Sequence, residues 1–433
     1  MLQVGAENLI RDDPRLADLL DRQTRYQDEV LAMIASASIA GPAVLSAAAS
    51  TLSNVTAEGY PGRRYHSGTG VFDEVEDLAR QRALTAFGAR YVNVQPLSGS
   101  SANLAALHAL LPHGGRLLSL GLDDGGHLSH GAPVSITGRT YEVIHYGLGD
   151  TGRIDFDEVA ALAAEHRPTV LIAGASAYPR TVDFQRFREI ADTVGAYVIA
   201  DISHIAGLVA AGVHPSPIDS AHITTSSTYK QLGGPRGGII LSGRDSETPG
   251  PDGRTSLRSL IDRAVFPGVQ GTPDPASIAA KAAAFGYLTS ARFRHLAKLI
   301  VSNARALAIA LSGRGYHVLT GGTDTHMVVI DLRPSPVTGL AAERALQEVG
   351  MLVNRNRVPG DDRPAMVSSG LRLGTNILSA RGMDAADMRE CAELLDGVLG
   401  QFDATGQLIA GSSVLADISD RVRKLCAANP LTS

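Results

Sequence analysis

Short apolar runs alternate with segments of helical periodicity between residues 83 and 240, and this alternation constrains the fold most. The runs at 169–173 and 197–200 are bounded by polar or small residues, as is typical of strands covered on both faces. Between them, residues 183–194 carry apolar side chains at helical spacing. This strand–helix–strand order predicts an α/β fold built on a large, mostly parallel sheet.

The patterns divide the chain into three parts. Residues 1–40 are a polar N-terminal arm with amphipathic helical pieces such as 16–34, and residues 41–290 form the predicted large domain. Residues 291–433 form a smaller C-terminal α+β domain. A long helical stretch, two strand-like runs and two further helices support this division: 278–311, 316–319, 327–332, 339–349 and 385–399.

Composition excludes several classes of function. The chain of 433 residues has a net charge of -5, which argues against a nucleic-acid partner. Its apolar runs are broken before they reach membrane-spanning length, and its first residues lack the pattern of a secretion signal. Cys391 and Cys426 are far apart and have no metal-ligand spacing. These features predict a cytoplasmic protein with reduced cysteines, no membrane segment and no metal site.

The segment 224–238 places Lys230 after a run of small hydroxyl residues and before a glycine-rich loop. Asp201 and His204 follow the strand-like run 197–200. Lys230 and Asp201 therefore fall at the carboxyl ends of predicted parallel strands, where such sheets bind ligands. A lysine there can hold an aldehyde cofactor as an imine, and an acid can keep the cofactor's ring nitrogen protonated. An ordinary ion pair or a capping aspartate explains the same residues.

Two small-residue loops offer further contacts to a cofactor. Residues 98–100 precede a predicted helix at 101–111 and suit a phosphate group, because free backbone N–H groups and the helix dipole point there. Serine N-capping of that helix is the alternative. The loop 125–131 contains His127 and His130, either of which can stack on a cofactor ring. A zinc site lacks a third ligand of suitable spacing.

Two further groups of charged residues suit a substrate. Residues 58–66 combine Glu58, two arginines and His66 in a turn-rich segment, for which solvated surface charge is the alternative. Arg372 stands alone in a strand-like run and can hold a carboxylate through two parallel hydrogen bonds, unless it is an ordinary surface arginine.

Five motifs in order make the sequence resemble the serine hydroxymethyltransferase family. They are Ala-Glu-Gly-Tyr-Pro-Gly-Arg-Arg-Tyr at 57–65, Ile-Ala-Gly-Ala-Ser-Ala-Tyr at 172–178, His-Ile-Ala-Gly-Leu-Val-Ala-Ala-Gly at 204–212, Gly-Pro-Arg-Gly-Gly at 234–238 and Ala-Val-Phe-Pro-Gly at 264–268. The resemblance runs from about residue 31 to about residue 425. It implies a pyridoxal 5′-phosphate (PLP) enzyme of fold type I, the aspartate-aminotransferase-like fold, with tetrahydrofolate as co-substrate. It also implies a homodimer that shares its active sites.

The resemblance assigns roles residue by residue. Nine residues match positions that hold PLP in the family: Ser98, Gly99, Ser100, His127, Ser176, Asp201, His204, Lys230 and, from the second subunit, Gly271. Lys230 matches the lysine that binds the cofactor, Asp201 the partner of its ring nitrogen, and Arg372 the binder of the substrate carboxylate. Glu58 matches an acid that handles protons and reaches across the dimer interface, with His66 and Tyr229 as further catalytic candidates. Matching folate-contacting positions are Glu58, Tyr65, Leu122, Gly126, Leu128 and Asn356.

The chain departs from the family pattern mainly on the substrate side. Thr56 and His66 stand where the family has tyrosines, and Gly41 stands where it has serine. The remaining departures are Ser36-Ala37-Ser38 for Ser-Glu-Asn, Tyr229 for histidine, Gln231 for threonine, Thr272 for glycine and Asn376 for proline. The cofactor side is nearly unchanged, whereas a decayed paralogue loses residues from both sides.

A wider pocket beside the substrate's α-carbon leads to the sequence-based hypothesis. It is a hydroxymethyltransferase for an α-substituted amino acid, such as α-methylserine made from alanine, the D form included. One methylene changes substrate discrimination by roughly 1–3 kcal/mol, enough to change the preferred substrate. The alternatives are ordinary serine–glycine interconversion, a folate-independent threonine aldolase or transaldolase, and a catalytically silent binding protein. The dimer either stands alone or pairs into a tetramer.

Overall fold

The computed structural model describes residues 2–409 and 413–431. The chain forms two compact units, one of residues 38–298 and one that joins residues 1–37 to residues 299–433. The sequence-based division differs in two respects. It treats residues 1–40 as a separate arm, and it sets the second boundary near 290 instead of at 298.

Helices and strands succeed one another along both described ranges of the chain. The α-helices are α1 (Leu2–Asp12), α2 (Pro14–Glu29), α3 (Pro42–Ala48), α4 (Gly70–Phe87), α5 (Gly99–Leu110), α6 (Ile136–Thr140), α7 (Phe156–His166), α8 (Phe184–Val194), α9 (Ala206–Ala210), α10 (Leu257–Arg263), α11 (Pro275–Leu288), α12 (Ala291–Ser312), α13 (Gly339–Glu348), α14 (Asn376–Ala380), α15 (Ala385–Leu399) and α16 (Ser413–Ala428). The strands are β1 (Leu31–Ala32), β2 (Gly59–Tyr60), β3 (Arg63–Arg64), β4 (Tyr91–Asn93), β5 (Arg116–Leu120), β6 (Glu142–Tyr146), β7 (Val170–Ala173), β8 (Tyr197–Asp201), β9 (Ile223–Ser227), β10 (Gly238–Ser242), β11 (His317–Val318), β12 (Met327–Asp331), β13 (Met351–Leu352), β14 (Asn354–Asn356) and β15 (Gly370–Gly374).

The unit of residues 38–298 is built on a seven-stranded sheet in the order β4-β10-β9-β8-β7-β5-β6. Neighbouring strands from β9 to β6 pair in parallel, and β10 pairs antiparallel with both β9 and β4. The sheet is therefore mixed and mostly parallel, as the sequence predicts. Its parallel strands bring their carboxyl ends to one edge, which is where ligands bind in such sheets.

The strands of this sheet are buried on both faces. Along β7, Val170 and Ile172 pack into one apolar cluster, while Leu171 and Ala173 pack into another on the opposite face. This two-residue period reflects side chains that point alternately to the two faces of a strand. It explains why the buried strands appear in the sequence as continuous apolar runs rather than as an apolar–polar alternation.

Side-chain caps set several helix boundaries. The carboxylate of Asp183 accepts from the backbone N–H of Arg186 at 3.0 Å and begins α8, in agreement with the predicted helix at 183–194. The predicted long helix at 278–311 is wrong in one respect, since it is two helices, α11 and α12. The break follows Leu288, and Ser290 accepts from the N–H of Phe293 at 3.1 Å, which caps the new helix.

The second unit contains a four-stranded antiparallel sheet in the order β11-β12-β15-β14, and β1 pairs in parallel with β13. The predicted helices at 339–349 and 385–399 are present as α13 and α15. The predicted helical piece at 16–34 is only partly correct, because α2 ends at Glu29 and β1 follows. Among the described residues, no helix is both long enough and apolar enough to cross a membrane.

Candidate active site

A cavity in the unit of residues 38–298 collects most of the residues predicted to hold the cofactor. Asp201 ends β8, Lys230 follows β9, and Ser176 follows β7, so three neighbouring parallel strands deliver them to the same edge of the sheet. Nine predicted residues line this cavity: Ser98, Gly99, Ser100, His127, Ser176, Asp201, His204, Tyr229 and Lys230.

Asp201 is a buried carboxylate with several hydrogen-bond donors around it. Its Oδ2 accepts from Nδ2 of Asn103 at 2.7 Å and lies 2.9 Å from Nε2 of His130, while Oδ1 accepts from the backbone N–H of Ser203 at 2.9 Å. Burial by itself raises the pKa of Asp201. The hydrogen bond and charge of His130, the charge of His127 and the bond from Asn103 outweigh burial, so the pKa lies well below its ordinary value. Asp201 is therefore ionised at neutral pH.

A second tier of hydrogen bonds fixes the donors of Asp201. The Oδ1 of Asn103 accepts from the hydroxyl of Thr225 at 2.5 Å, and Nδ2 of Asn103 also donates to Oγ of Ser129 at 2.9 Å. Ser129 Oγ lies 2.7 Å from Nδ1 of His127. The imidazole of His127, which lines the cavity, is thus connected to Asp201 through two side chains. Such a network holds both ring and carboxylate in single orientations.

The lysine predicted to bind the cofactor is buried, with an exposed fraction of 6%. The preceding residue, Tyr229, stacks under the guanidinium of Arg236, whose Cζ lies 4.1 Å from the ring centroid. Tyr229 and Arg236 both line the cavity beside Lys230. The tyrosine that replaces the family's histidine is therefore held by a cation–π contact at the wall of the cavity.

The loop before α5 is both a helix cap and a cavity wall. Oγ of Ser98 accepts from the N–H of Ser101 at 3.0 Å, and the N–H of Ser98 donates to Oγ of Ser101 at 2.8 Å, so the N-capping expected as an alternative is present. A Cβ on Gly99 would lie 3.1 Å from Cβ of Ser227. A side chain at position 99 would therefore crowd Ser227, and both residues line the cavity.

The predicted residues of the 58–66 segment lie apart from the cavity lining. The backbone N–H of Glu58 donates to Nδ1 of His66 at 3.2 Å, and a Cβ on Gly271 would lie 3.2 Å from Oε1 of Glu58. Tyr65 is 77% exposed and stacks at a tilted angle on Phe266, with 5.7 Å between the ring centroids. Glu58, Gly271 and His66 therefore form a surface group of their own in the isolated chain.

The predicted folate and carboxylate residues lie at two further places. Leu122 and Leu128 are about half exposed, and with Gly126 they occupy the loop that follows β5. In the second unit, Asn356 and Arg372 lie on the paired strands β14 and β15, where Nη2 of Arg372 donates to Oδ1 of Asn354 at 3.3 Å. Burial lowers the pKa of Arg372 to about 10, so it remains a cation at neutral pH.

Sequence reasoning missed several residues of the cavity. Asn103, Ser203, Ser227 and Arg236 line it without having been predicted, and His130 had been noted only as a neighbour of His127. Arg236 lies within the Gly-Pro-Arg-Gly-Gly motif, which is a signal that was available. Asn103 lies inside α5 and is only 2% exposed. Nothing in the local sequence shows that this polar residue is buried or that it faces the cavity.

A buried lysine and a buried carboxylate at the carboxyl edge of a mostly parallel seven-stranded sheet define a PLP-dependent enzyme of fold type I. Within that class the chain belongs to the serine hydroxymethyltransferase family, whose model, described as serine hydroxymethyltransferase, matches residues 9–395. The chain is 47% identical over 422 residues to the serine hydroxymethyltransferase of Myxococcus xanthus strain DK1622, an alignment that covers 97% of this chain and 96% of that protein. The family uses PLP, with tetrahydrofolate as co-substrate.

The residues of the cavity fit PLP on three structural grounds. Ser227 has a buried Oγ that makes no hydrogen bond to any residue of the described ranges, and it lines the cavity beside the start of α5. The first turn of α5 leaves backbone N–H groups for a phosphate. Asp201 and Lys230 supply the anion and the amine that a pyridine nitrogen and an aldehyde require.

Proposed function

We propose that this enzyme transfers a hydroxymethyl group between tetrahydrofolate and a small amino acid that carries a substituent on its α-carbon. The proposed product is α-methylserine made from alanine, with D-alanine included among the candidate acceptors. The observation that carries the proposal is an asymmetry. The residues that match the family's cofactor positions are retained, whereas the residues that differ from the family pattern on the substrate side are smaller or carry a different functional group.

Gly41 is small without a local reason in the fold. Its backbone has φ of -68° and ψ of 164°, which any residue can adopt, and a Cβ built on it meets no atom within 4 Å. It also stands at the N-cap of α3, where serine is a preferred residue. The fold would accept the family's serine at this position, so the loss of that side chain is better explained by what binds there.

Thr56 and His66 support the same conclusion. Both are exposed in the isolated chain, and they flank Glu58 in sequence. Replacing a tyrosine by threonine removes a whole ring, and replacing another by histidine exchanges a phenol for a smaller imidazole ring. Together with Gly41 they leave room for an extra methyl group, and one methylene is worth roughly 1–3 kcal/mol of discrimination.

The cavity residues would hold the cofactor as follows. Bound PLP supplies an electron sink for the bond that breaks at the substrate's α-carbon. Asp201, held ionised by His130 and Asn103, would keep a proton on the ring nitrogen, and His127 would pack against the ring. Lys230 supplies the amine that holds the aldehyde. Ser176 and His204 would contact the oxygen side of the ring, and residues 98–100 would receive the phosphate.

The substrate side is assigned to the remaining predicted residues. Arg372, still charged at neutral pH, would bind the amino acid's carboxylate as a bidentate donor. Glu58 would give and take the proton of the hydroxymethyl oxygen, and its backbone N–H donates to Nδ1 of His66. Tyr65, Leu122, Gly126, Leu128 and Asn356 would contact the folate.

We further propose a homodimer in which each subunit completes the other's site. Glu58 and Gly271 lie side by side on one subunit, with 3.2 Å from Oε1 of Glu58 to a Cβ built on Gly271, but the cavity of their own chain is lined by other residues. A second subunit that brings both residues to this cavity would supply two groups together. Glu58 would be the acid that handles protons, and Gly271 would offer a backbone contact to the phosphate.

Serine–glycine interconversion is the second candidate function, favoured by the 47% identity to a protein named serine hydroxymethyltransferase. The deciding experiment incubates the pure enzyme with L-serine, α-methyl-L-serine and L-threonine separately, with and without tetrahydrofolate. Mass spectrometry then identifies the products. Folate-dependent loss of the hydroxymethyl group from α-methylserine, with serine slow, is the expected result. Faster turnover of serine contradicts the proposed substrate, and folate-independent cleavage of threonine contradicts the one-carbon transfer.

A further inference from the structure

Lys281 is a buried lysine that the site as described does not use. It lies on α11 with an exposed fraction of 1%, although lysine is almost never fully buried without a partner. Its ammonium donates to three backbone carbonyls, those of Val94 at 2.6 Å, Pro96 at 3.0 Å and Gly238 at 3.0 Å. Since an ammonium has three N–H donors, these bonds use all of them.

The three carbonyls belong to the two chain segments that enter the cofactor cavity. Val94 and Pro96 follow β4 and lead directly into the loop at 98–100, and Gly238 begins β10 next to Gly237 of the cavity wall. The N–H of Gly238 also donates to the carbonyl of Pro96 at 2.9 Å. Lys281 therefore ties the loop before α5 to the segment that carries Arg236 and Gly237.

Glycines make room for this ammonium. A Cβ on Gly237 would lie 2.4 Å from Cε and 2.9 Å from Nζ of Lys281, and a Cβ on Gly238 would lie 2.2 Å from the carbonyl oxygen of Ser98. All three distances are shorter than 3.0 Å, which is below a normal contact of a Cβ. The Gly-Gly pair that ends the motif at 234–238 is thus required by the close approach of the lysine and of the loop at 98–100.

The charged groups that face Lys281 come from two helices. Burial lowers the pKa of Lys281 to about 7, and the negative charges of Asp274 on the N-cap of α11 and of Glu76 on α4 raise it only in part. Arg64 already neutralises Glu76, with Nη2 at 2.6 Å from Oε2. With a pKa of about 7, Lys281 is divided between its charged and neutral forms near neutral pH.

We propose that Lys281 is a positioning residue for the phosphate of the cofactor, because its ammonium holds the loop at 98–100 in the form that receives that phosphate. The inference rests on the assignment of this loop in the proposed function. A protonated Lys281 binds all three carbonyls and places a positive charge behind the anion site. A neutral amine has two N–H donors and a lone pair, so one carbonyl loses its partner and the loop loosens.

The test separates the phosphate from the rest of the cofactor. Dissociation constants of pyridoxamine 5′-phosphate and of pyridoxamine are measured by equilibrium dialysis on the full-length enzyme freed of PLP, between pH 7 and 9.5. Neither probe forms an imine with Lys230. The second ionisation of a phosphate monoester, near pH 6, is complete in this range. The ratio of the two constants gives the phosphate factor, measured for the wild type, Lys281→Met and the exposed-lysine control Lys298→Met.

The wild-type phosphate factor is expected to fall about tenfold from pH 7 to pH 9.5, within the usual range of coupling between two sites. In Lys281→Met it should be about tenfold lower already at pH 7 and independent of pH, whereas Lys298→Met should follow the wild type. An equal factor in Lys281→Met and the wild type at every pH overturns the proposal. If that variant does not fold, a wild-type factor that is constant with pH overturns it instead. A phosphate factor near one at every pH in every variant would mean that the loop at 98–100 does not bind the phosphate. That result would contradict the proposed function rather than the role of Lys281.

Discussion

The backbone N–H of Glu58 donates a 3.2 Å hydrogen bond to Nδ1 of His66, eight residues along the chain. The bond closes the turn formed by the hairpin of β2 and β3, so the acid and the imidazole are held in one segment. A tyrosine at position 66 has no ring nitrogen at this place to accept the bond. The departure from the family pattern at His66 therefore changes how the backbone at Glu58 is held, in addition to the enlargement of the substrate pocket that we propose.

Restoring the two family tyrosines should reverse the proposed substrate preference. The double variant Thr56→Tyr with His66→Tyr refills the space for an α-methyl group, and the ratio of kcat/KM for α-methyl-L-serine over L-serine should fall by about 10-fold or more. Thr51→Tyr, an exposed threonine outside the site, is the matched control and should leave the ratio unchanged. An unaltered ratio in the double variant would end the pocket-volume argument.

Glu58→Gln should lower the folate-dependent rate on the order of 10²–10⁴, as expected when a positioned proton donor and acceptor is removed. The substitution keeps the size of the side chain, so the wild-type absorbance of bound PLP should persist. Stopped-flow or steady-state rates with tetrahydrofolate measure the effect, and Glu74→Gln on the exposed face of α4 is the control. A rate within about twofold of wild type would move proton handling to another residue, with His66 the next to test.

Lys230→Ala should abolish both turnover and the visible absorbance of the protein-bound cofactor, because no other lysine lines the cavity among the described residues. The exposed Lys424→Ala should keep both properties. Absorbance spectra after gel filtration report retention of PLP independently of activity. Persistence of the visible band in Lys230→Ala would contradict the assignment of this lysine.

The stability of Lys281→Met should depend on pH in a specific direction. The pKa of Lys281 is about 7 in the folded chain because of burial, and about 10.4 for an unperturbed lysine. Between these values the unfolded chain binds more protons, so Lys281 makes the unfolding free energy rise with pH in the wild type. The variant lacks this rise, and its stability relative to wild type should fall by about 1 kcal/mol per pH unit from pH 7.5 to 9.5.

Denaturant unfolding at several pH values measures this difference, with Lys298→Met expected to run parallel to wild type. A constant difference between Lys281→Met and wild type would show that Lys281 does not titrate in this window. The stability trend and the phosphate-binding trend have opposite signs. A merely structural lysine would produce the first trend without the second.

Local pattern predicted much of the architecture. The runs at 169–173 and 197–200 are strands, Asp183 caps α8, and Asp201 and Lys230 do fall at the carboxyl edge of the sheet. These features follow from burial periodicity and from the geometry of parallel strands, both of which are visible over a few residues.

The sequence by itself therefore determined the fold class, the family and the identity of most residues that line the cavity. Only the tertiary structure decided which groups surround Asp201 and what Lys281 binds. Asn103 and His130 are 98 and 71 residues from Asp201 in sequence, and Lys281 is 187 residues from Val94. The sequence around a polar residue inside a helix does not show which distant residue it will bind. Its partner is set by how sheet register and helix packing bring distant segments together, and the cost of leaving a buried polar group unpaired then selects that arrangement.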